Sequence, residues 1–146
     1  MNFTPKFSGY KQKVYSSFEA QKFMELLGAQ LTVLEPGFCQ IEVPYKDSLT
    51  QQNGYFHAGV IGTIADNTAG YAAFSLMEEK ASILTVEYKI NLIAPAKGDK
   101  LIGKGQVVKS GRTLSVCTSE LFSVSKGVEN LCAVSQSTLI SLLPKS

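Results

Sequence analysis

At 146 residues, 45% hydrophobic and 18% charged, the chain has the length and make-up of one globular domain with a core of its own. Its formal net charge of +2 is too small to argue for nucleic acid or a membrane surface as partner. The opening residues MNFTPKFSGYKQK lack an apolar stretch, and no run of about 20 apolar residues follows, so neither a signal peptide nor a membrane span is expected and the implied location is cytoplasmic.

In chain order, Ser16 and Glu19 stand at capping-box spacing and predict a helix over about 16–28, with Phe18, Phe23, Met24, Leu26 and Leu27 on its apolar face and Gly28 as its stop. Leu31–Leu34 and Phe38–Val43, divided by Glu35-Pro36-Gly37, read as two strands and a turn. From His57 to about Met77, Val60, Ile61, Ile64, Ala65, Thr68, Tyr71, Ala72 and Leu76 keep helical spacing. The other faces carry glycine and alanine, so this helix is expected to be buried. Over Thr85–Ile93, Val86, Tyr88, Ile90 and Leu92 alternate with polar residues, a strand period. Leu101–Val108, Thr113–Val124 and Leu131–Leu142, joined by short turns, predict an antiparallel meander. The fold class is therefore α+β, an antiparallel sheet wrapped around a long central helix. Cys39, Cys117 and Cys132 are an odd, widely spaced set that reads as free packing thiols of a reducing compartment.

Asp66 interrupts the apolar helix. An unpaired carboxylate in such a segment costs several kcal/mol or protonates, so its presence points to function, or to a structural hydrogen bond with a neighbouring element. The only histidine, His57, opens the same helix, where a cap or a packed side chain is the plainer role. One histidine and three scattered cysteines do not compose a zinc site, and neither a G-x-S-x-G elbow nor a phosphate-binding glycine loop is present.

Several words recur together: Asn53-Gly54-x-x-His57-Ala58-Gly59 at the helix start, Ala65-Asp66 within it, Thr85-Val86-Glu87-Tyr88 through Ala94-Pro95-Ala96 on the next strand, and Gly111-Arg112-Thr113 at a later hairpin. In this order the chain resembles hotdog-fold acyl-CoA thioesterases of the phenylacetate-degradation (PaaI-like) type, related to 4-hydroxybenzoyl-CoA thioesterases. The resemblance covers roughly residues 31–142, the core of a single hotdog domain spanning the 146 residues, with the N-terminal helix ahead of it. It implies hydrolysis of an acyl-CoA thioester without a metal or a cofactor beyond the coenzyme A of the substrate. Asp66 takes the position of the base or nucleophile, the amide of Ala58 that of the oxyanion donor, and Thr85 that of the residue orienting water. His57 falls among the catalytic positions as a positioning group rather than a base. An amide side chain that meets substrate falls on Gln51, with Gln52 and Asn53 as neighbours, and Gly59 belongs to the same substrate-binding turn. Lys97, Lys109 and Arg112 sit at turns where they can meet the phosphates of coenzyme A or simply be solvated. Tyr55, Phe56, Tyr71 and Phe74 fit an acyl pocket or the core.

Ala58 and Asp66 are eight residues apart, roughly 12 Å along a helix, whereas a general base must approach within about 3 Å. If both act on one carbonyl they come from two chains, which implies an antiparallel helix pair in a homodimer or a dimer-of-dimers tetramer, with Gly62 and Gly70 leaving room beside Asp66. Two alternatives remain at this stage: a hotdog hydratase or dehydratase of acyl thioesters, and a non-catalytic acyl-CoA binder. The acyl group, whether aryl, short or long, is not specified by the sequence.

Overall fold

The computed structural model describes residues 2–144. Its elements are helices α1 (Tyr10–Glu19) and α2 (Lys22–Leu27), strands β1 (Gln30–Glu35) and β2 (Phe38–Pro44), a short 3₁₀ turn at Asp47–Leu49, helix α3 (Ala58–Phe74), and strands β3 (Ser82–Leu92), β4 (Lys100–Ser110), β5 (Leu114–Ser125) and β6 (Val128–Leu142). The six strands form one antiparallel sheet in the order β1-β2-β4-β5-β6-β3. Its concave face holds α3, the hotdog arrangement expected from the sequence.

The predicted N-terminal helix is corrected in both position and number. Ser16 is no cap: α1 already begins at Tyr10, after Gly9, and Ser16 accepts a hydrogen bond from Gln12 within it. The stripe that drives α1 is Tyr10, Val14 and Phe18, at successive four-residue steps, with Val14 and Phe18 buried. A break after Glu19 separates α2, which buries Met24 and Leu27 and ends, as expected, on Gly28 in the left-handed region. Phe23 and Leu26, by contrast, stand in solvent.

The β1–β2 hairpin turns on Gly37 at φ +78, where a side chain would be strained. The β4–β5–β6 meander is as predicted. β3 does not join it at β4. It crosses to the far side of β6 and becomes an edge strand. The central helix is shorter than its periodicity implied, ending at Phe74, because Ser75 turns its Oγ back to the carbonyl of Ala72 and accepts the Gly37 amide (2.7 and 2.8 Å).

What lets α3 sit so deep is a lack of side chain beneath it. A Cβ on Gly105 of β4 would lie 2.3 Å from the carbonyl carbon of Thr68, and one on Gly103 would lie 2.5 Å from an Ile64 methyl. Beside them Ser119 of β5 donates to the Ala65 carbonyl at 2.9 Å and lies 3.1 Å from Thr68 Oγ1. Helix and sheet are thus joined by close backbone approach and by buried hydroxyls as well as by apolar packing.

The alternation read along β3 also needs correction. The register slips between Thr85 and Glu87, so Val86 is a bulge residue. Thr85 pairs with the buried Leu139, and Tyr88, Ile90 and Leu92 pair with Ser137, Ser135 and Ala133, all of which are buried under the helix side. Without the extra residue, Thr85 and Tyr88 would point to opposite faces. With it, both point toward α3.

All three cysteines are buried and free, and burial pushes their thiols upward, that of Cys117 to about 12. A thiol reagent should therefore modify essentially none of them in the folded protein and all three after denaturation, measured by thiol titration with and without urea. Stability should fall as pH rises from 9.0 toward about 12, because thiols of the unfolded chain ionise there while the buried ones hold their protons. Gly105→Ala should lower unfolding free energy by about 2–3 kcal/mol in urea titration. A variant of unchanged stability would show that the helix is not seated on this glycine.

Candidate active site

Two features of α3 carry chemistry, its first turn and its middle. The first turn is held from outside the helix. Phe56, almost fully buried, donates its amide to Ala96 at 2.9 Å, and His57 donates its own to Leu49 at 2.9 Å. His57 is the N-cap, and its Nδ1 accepts the amide of Gly59 at 2.8 Å. With Nδ1 as the acceptor, a neutral ring carries its proton on Nε2. Val60 and Ile61 donate to the His57 carbonyl. Ala58 N–H is left without a hydrogen bond among the described residues, at the positive end of a 17-residue helix. The cap thus uses the Gly59 donor and leaves the Ala58 donor free. Of the two neighbouring positions, the first has an amide to offer and the second does not.

The middle of the helix carries Asp66, which is half-buried rather than enclosed. Thr85 Oγ1 donates to Asp66 Oδ1 at 2.6 Å, a charge-assisted hydrogen bond across from the edge strand. The second carboxylate oxygen is left to the cavity. Sequence periodicity alone put Thr85 on the wrong face, and the Val86 bulge is what brings the pair together. Gly62, one turn before Asp66, admits the Tyr88 hydroxyl, which would lie 3.2 Å from a Cβ there. Among the described residues nothing lies within 4 Å of a Cβ on Gly70, one turn after, so that position opens onto the cavity.

Within one chain these two features face different spaces. Asp66 and Thr85 line a cavity of about 310 Å³ with Ser17, Gln21, Asn67, Gly70 and Tyr71. Ala58 lines another, about 450 Å³, with Gln51, Tyr55, Phe56, Leu92 and Pro95. Gln51 is therefore the amide residue beside the helix start. Its Oε1 accepts the Asn53 amide, which folds the turn, while Gln52 and Asn53 are exposed and away from the cavity. The aromatic residues divide too: Tyr55 and Phe56 belong to the Ala58 space, Tyr71 to the Asp66 space, and Phe74 is core, with the Lys13 ammonium 4.1 Å from its ring centre.

The candidate phosphate-binding cations are exposed and split the same way. Lys97 follows Ala96 of the Ala58 cavity, whereas Lys109 and Arg112 flank the β4–β5 turn. Next to that turn, Ser115 pairs with Leu139, the partner of Thr85, which places Arg112 at the Asp66 end of the sheet. A larger cavity, about 550 Å³, lies on the sheet face turned away from α3, lined by Lys89, Gln106, Glu120 and Gln136. It offers neither a helix terminus nor a fixed carboxylate pair. No three His, Cys, Asp or Glu side chains come together among the described residues.

The model of the family described as "Thioesterase superfamily" matches residues 53–129, which contain both halves of this site. The chain belongs to the thioesterase superfamily. It is similar to a solved thioesterase family protein of Silicibacter pomeroyi at 46% identity, with a TM-score of 0.92, covering 93% of this chain and 100% of that one. It is similar also to a candidate esterase of Saccharolobus solfataricus, 30% identical over 102 residues, which is 70% of this chain and 72% of the relative. Escherichia coli PaaI, from the phenylacetic acid degradation operon, shares the fold at 19% identity and a TM-score of 0.80, over 91% of this chain and 93% of that one. The activity class of the chain is thioester hydrolysis.

The geometry makes Thr85 a test of the Asp66 carboxylate's position. Thr85→Val keeps the shape and loses the donor, whereas Thr85→Ser keeps the donor. Thioester turnover should fall more than about tenfold in the first and stay within about threefold in the second, with both folded by circular dichroism. Equal turnover in Val and native proteins would remove Thr85 from the site.

Proposed function

We propose that the protein is a homodimeric acyl-CoA thioesterase whose sites are each built from Asp66 and Thr85 of one protomer and the Ala58 amide of its partner. The observation that carries this reading is the unpaired Ala58 N–H at the start of α3, set two turns from a carboxylate held by Thr85 and facing a separate cavity. A span of roughly 12 Å keeps one chain from applying both groups to the same carbonyl.

In this mechanism Asp66 accepts a proton from water as the water oxygen attacks the thioester carbon. Charge gathers on the carbonyl oxygen, and the Ala58 N–H, oriented before the reaction by the His57 cap, stabilises it. Collapse expels the thiolate of coenzyme A, which takes the proton held by Asp66. A direct attack by the carboxylate, followed by hydrolysis of the mixed anhydride, uses the same groups. His57 acts through the helix start it organises, with its Nδ1 already engaged. This engagement also weighs against the hydratase alternative, which asks more of the histidine.

A dimer is supported by β3. It is the edge strand beside α3, and it exposes Leu84, Val86, Tyr88 and Leu92. An unprotected apolar edge is a template for another strand. Antiparallel pairing of two β3 edges would set the two α3 helices antiparallel and bring each Ala58 toward the other chain's Asp66. Lys97 of one chain and Arg112 of the other would then reach the same nucleotide.

The test uses acyl-CoA hydrolysis with aryl, short and long acyl groups. Asp66→Asn should lose about 100-fold or more in turnover while folding normally. Ala58→Pro should be similarly inactive yet folded, because proline suits the first helical position and His57, at ψ 140, already has the conformation that precedes one. Unfolding both variants together and refolding them should restore roughly a quarter of native turnover: about half the dimers are mixed, and each mixed dimer holds one intact site out of two. Mixed samples that stay as inactive as the parents would rule out the shared site. Failure to hydrolyse any acyl-CoA, with binding retained, would establish a binder instead.

A further inference from the structure

Strand β3 carries, besides its apolar residues, a charge pattern that fits a second copy of itself in one register. The backbone sets the parity. Ile93 donates its amide to Cys132 of β6 at 2.9 Å. Bonded residues alternate along an antiparallel ladder, so Lys89 and Asn91 are committed to β6, while Tyr88, Ile90 and Leu92 turn their N–H and C=O groups outward. Ser141 of β6 donates to Thr113 on its other side, and counting along β6 from there gives the same parity.

Two copies of β3 paired antiparallel must match like parity and like face, so the two-fold axis passes through a residue and its own copy. Charge then decides among neighbouring positions. An axis at Lys89 sets two ammonium groups opposite each other, and an axis at Glu87 sets two carboxylates opposite each other. An axis at Tyr88 sets Glu87 of each chain opposite Lys89 of the other, twice over. Both side chains are exposed and lie on the sheet face turned away from α3, where Glu87 accepts from Thr138 Oγ1 at 2.7 Å and Lys89 donates to Asn91 Oδ1 at 2.7 Å. With Tyr88 as the outward-bonding residue, these pairs fall at the closely spaced, non-hydrogen-bonded positions. Opposite charges stabilise such positions and like charges oppose them.

Helix α3 locates the axis independently. If the Ala58 amide of each chain serves Asp66 of the other, the axis lies beside the residue midway between them, Gly62. Tyr88 reaches that residue, with its hydroxyl 3.2 Å from the position of a Cβ there. Along β3, Thr85 meets Asp66 and Leu92 lines the Ala58 cavity, with Tyr88 between them. Moving the axis by one residue slides one strand past the other by two, roughly 7 Å, which separates each amide from the carboxylate it serves.

Resting on the homodimer reading above, we propose that two copies of the chain join through a β3–β3 ladder whose two-fold axis passes through Tyr88, with Glu87 of each chain paired to Lys89 of the other. Glu87 and Lys89 are then positioning residues: from the opposite face of the sheet they fix the register that assembles the shared site.

The experiment measures dimer dissociation constants by analytical ultracentrifugation for the native protein, Glu87→Lys, Lys89→Glu and the double swap, each checked for folding by circular dichroism. Either single change sets two pairs of like charges across the axis and should weaken the dimer by about tenfold or more, less so at high salt. The swap restores opposite charges and should return the constant to within about threefold of native. A double variant as weak as the singles would show that these side chains act only within their own chain, and would overturn the proposal. Mild oxidation should link Tyr88→Cys into a covalent dimer, because paired Cα atoms on the axis stand about 5.5 Å apart, and the native thiols are buried. Linking through Lys89→Cys in place of Tyr88→Cys would put the axis elsewhere and overturn the register. So would a native dimer indifferent to both charge reversals, an outcome that leaves the shared site standing, since mixed Asp66→Asn and Ala58→Pro dimers test it separately. A native protein that hydrolyses acyl-CoA as a monomer would overturn both.

Discussion

Everything in this molecule depends on how closely α3 approaches the sheet. The helix rests on Gly103 and Gly105 of β4, with the backbone of Thr68 where a side chain of β4 would otherwise be, and Ser119 bonds directly to the helix carbonyl of Ala65. A helix packed on ordinary side chains stands about 10 Å from its neighbour and can shift by repacking. One that touches backbone has far less freedom. The distance between its first amide and its carboxylate is then a property of the fold, not of side-chain rotamers.

That rigidity explains the division of labour along α3. The N-terminal turn has a donor with no partner among the described residues, and the middle has an acceptor that Thr85 holds from the edge strand. Each is prepared before any substrate arrives, which is where an electrostatic site gains most of its advantage. Each also faces its own cavity, and a stiff helix keeps them apart. Completion of such a site by a second chain is a geometric solution to that separation, and the apolar edge of β3 lies next to the place where it is needed.

Much of this was legible from the residues because it rests on local signals. The glycine-to-histidine word marks a helix start, a lone carboxylate in an apolar helix marks a site, and short turns between Leu101 and Leu142 mark a meander. What escaped was non-local. That β3 pairs with β6 depends on a crossover with no sequence marker of its own. The helix at Tyr10–Glu19 was missed because Ser16 and Glu19 imitate a start, while the Tyr10, Val14 and Phe18 stripe is only three residues long. Gln21 gave no signal at all, since its partners Asn67 and Tyr71 come from across the fold. The resemblance names Thr85 as the residue that orients water and not as a partner of Asp66, and the alternation read along β3 would have turned it outward.

The Val86 bulge divides β3 into two reading frames. Ser82–Thr85 answers to one, Glu87–Leu92 to the other, and the change of frame falls between the residue that holds the carboxylate and the residues that face the underside of α3. A residue gained or lost within the first frame would rotate Thr85 away from Asp66 and leave Tyr88, Ile90 and Leu92 as they are. The same change among Glu78–Lys80, in the exposed connection before the strand, would leave both frames untouched. Length variation a few residues apart thus has unequal consequences: one kind is silent, and the other disconnects the site while the fold survives.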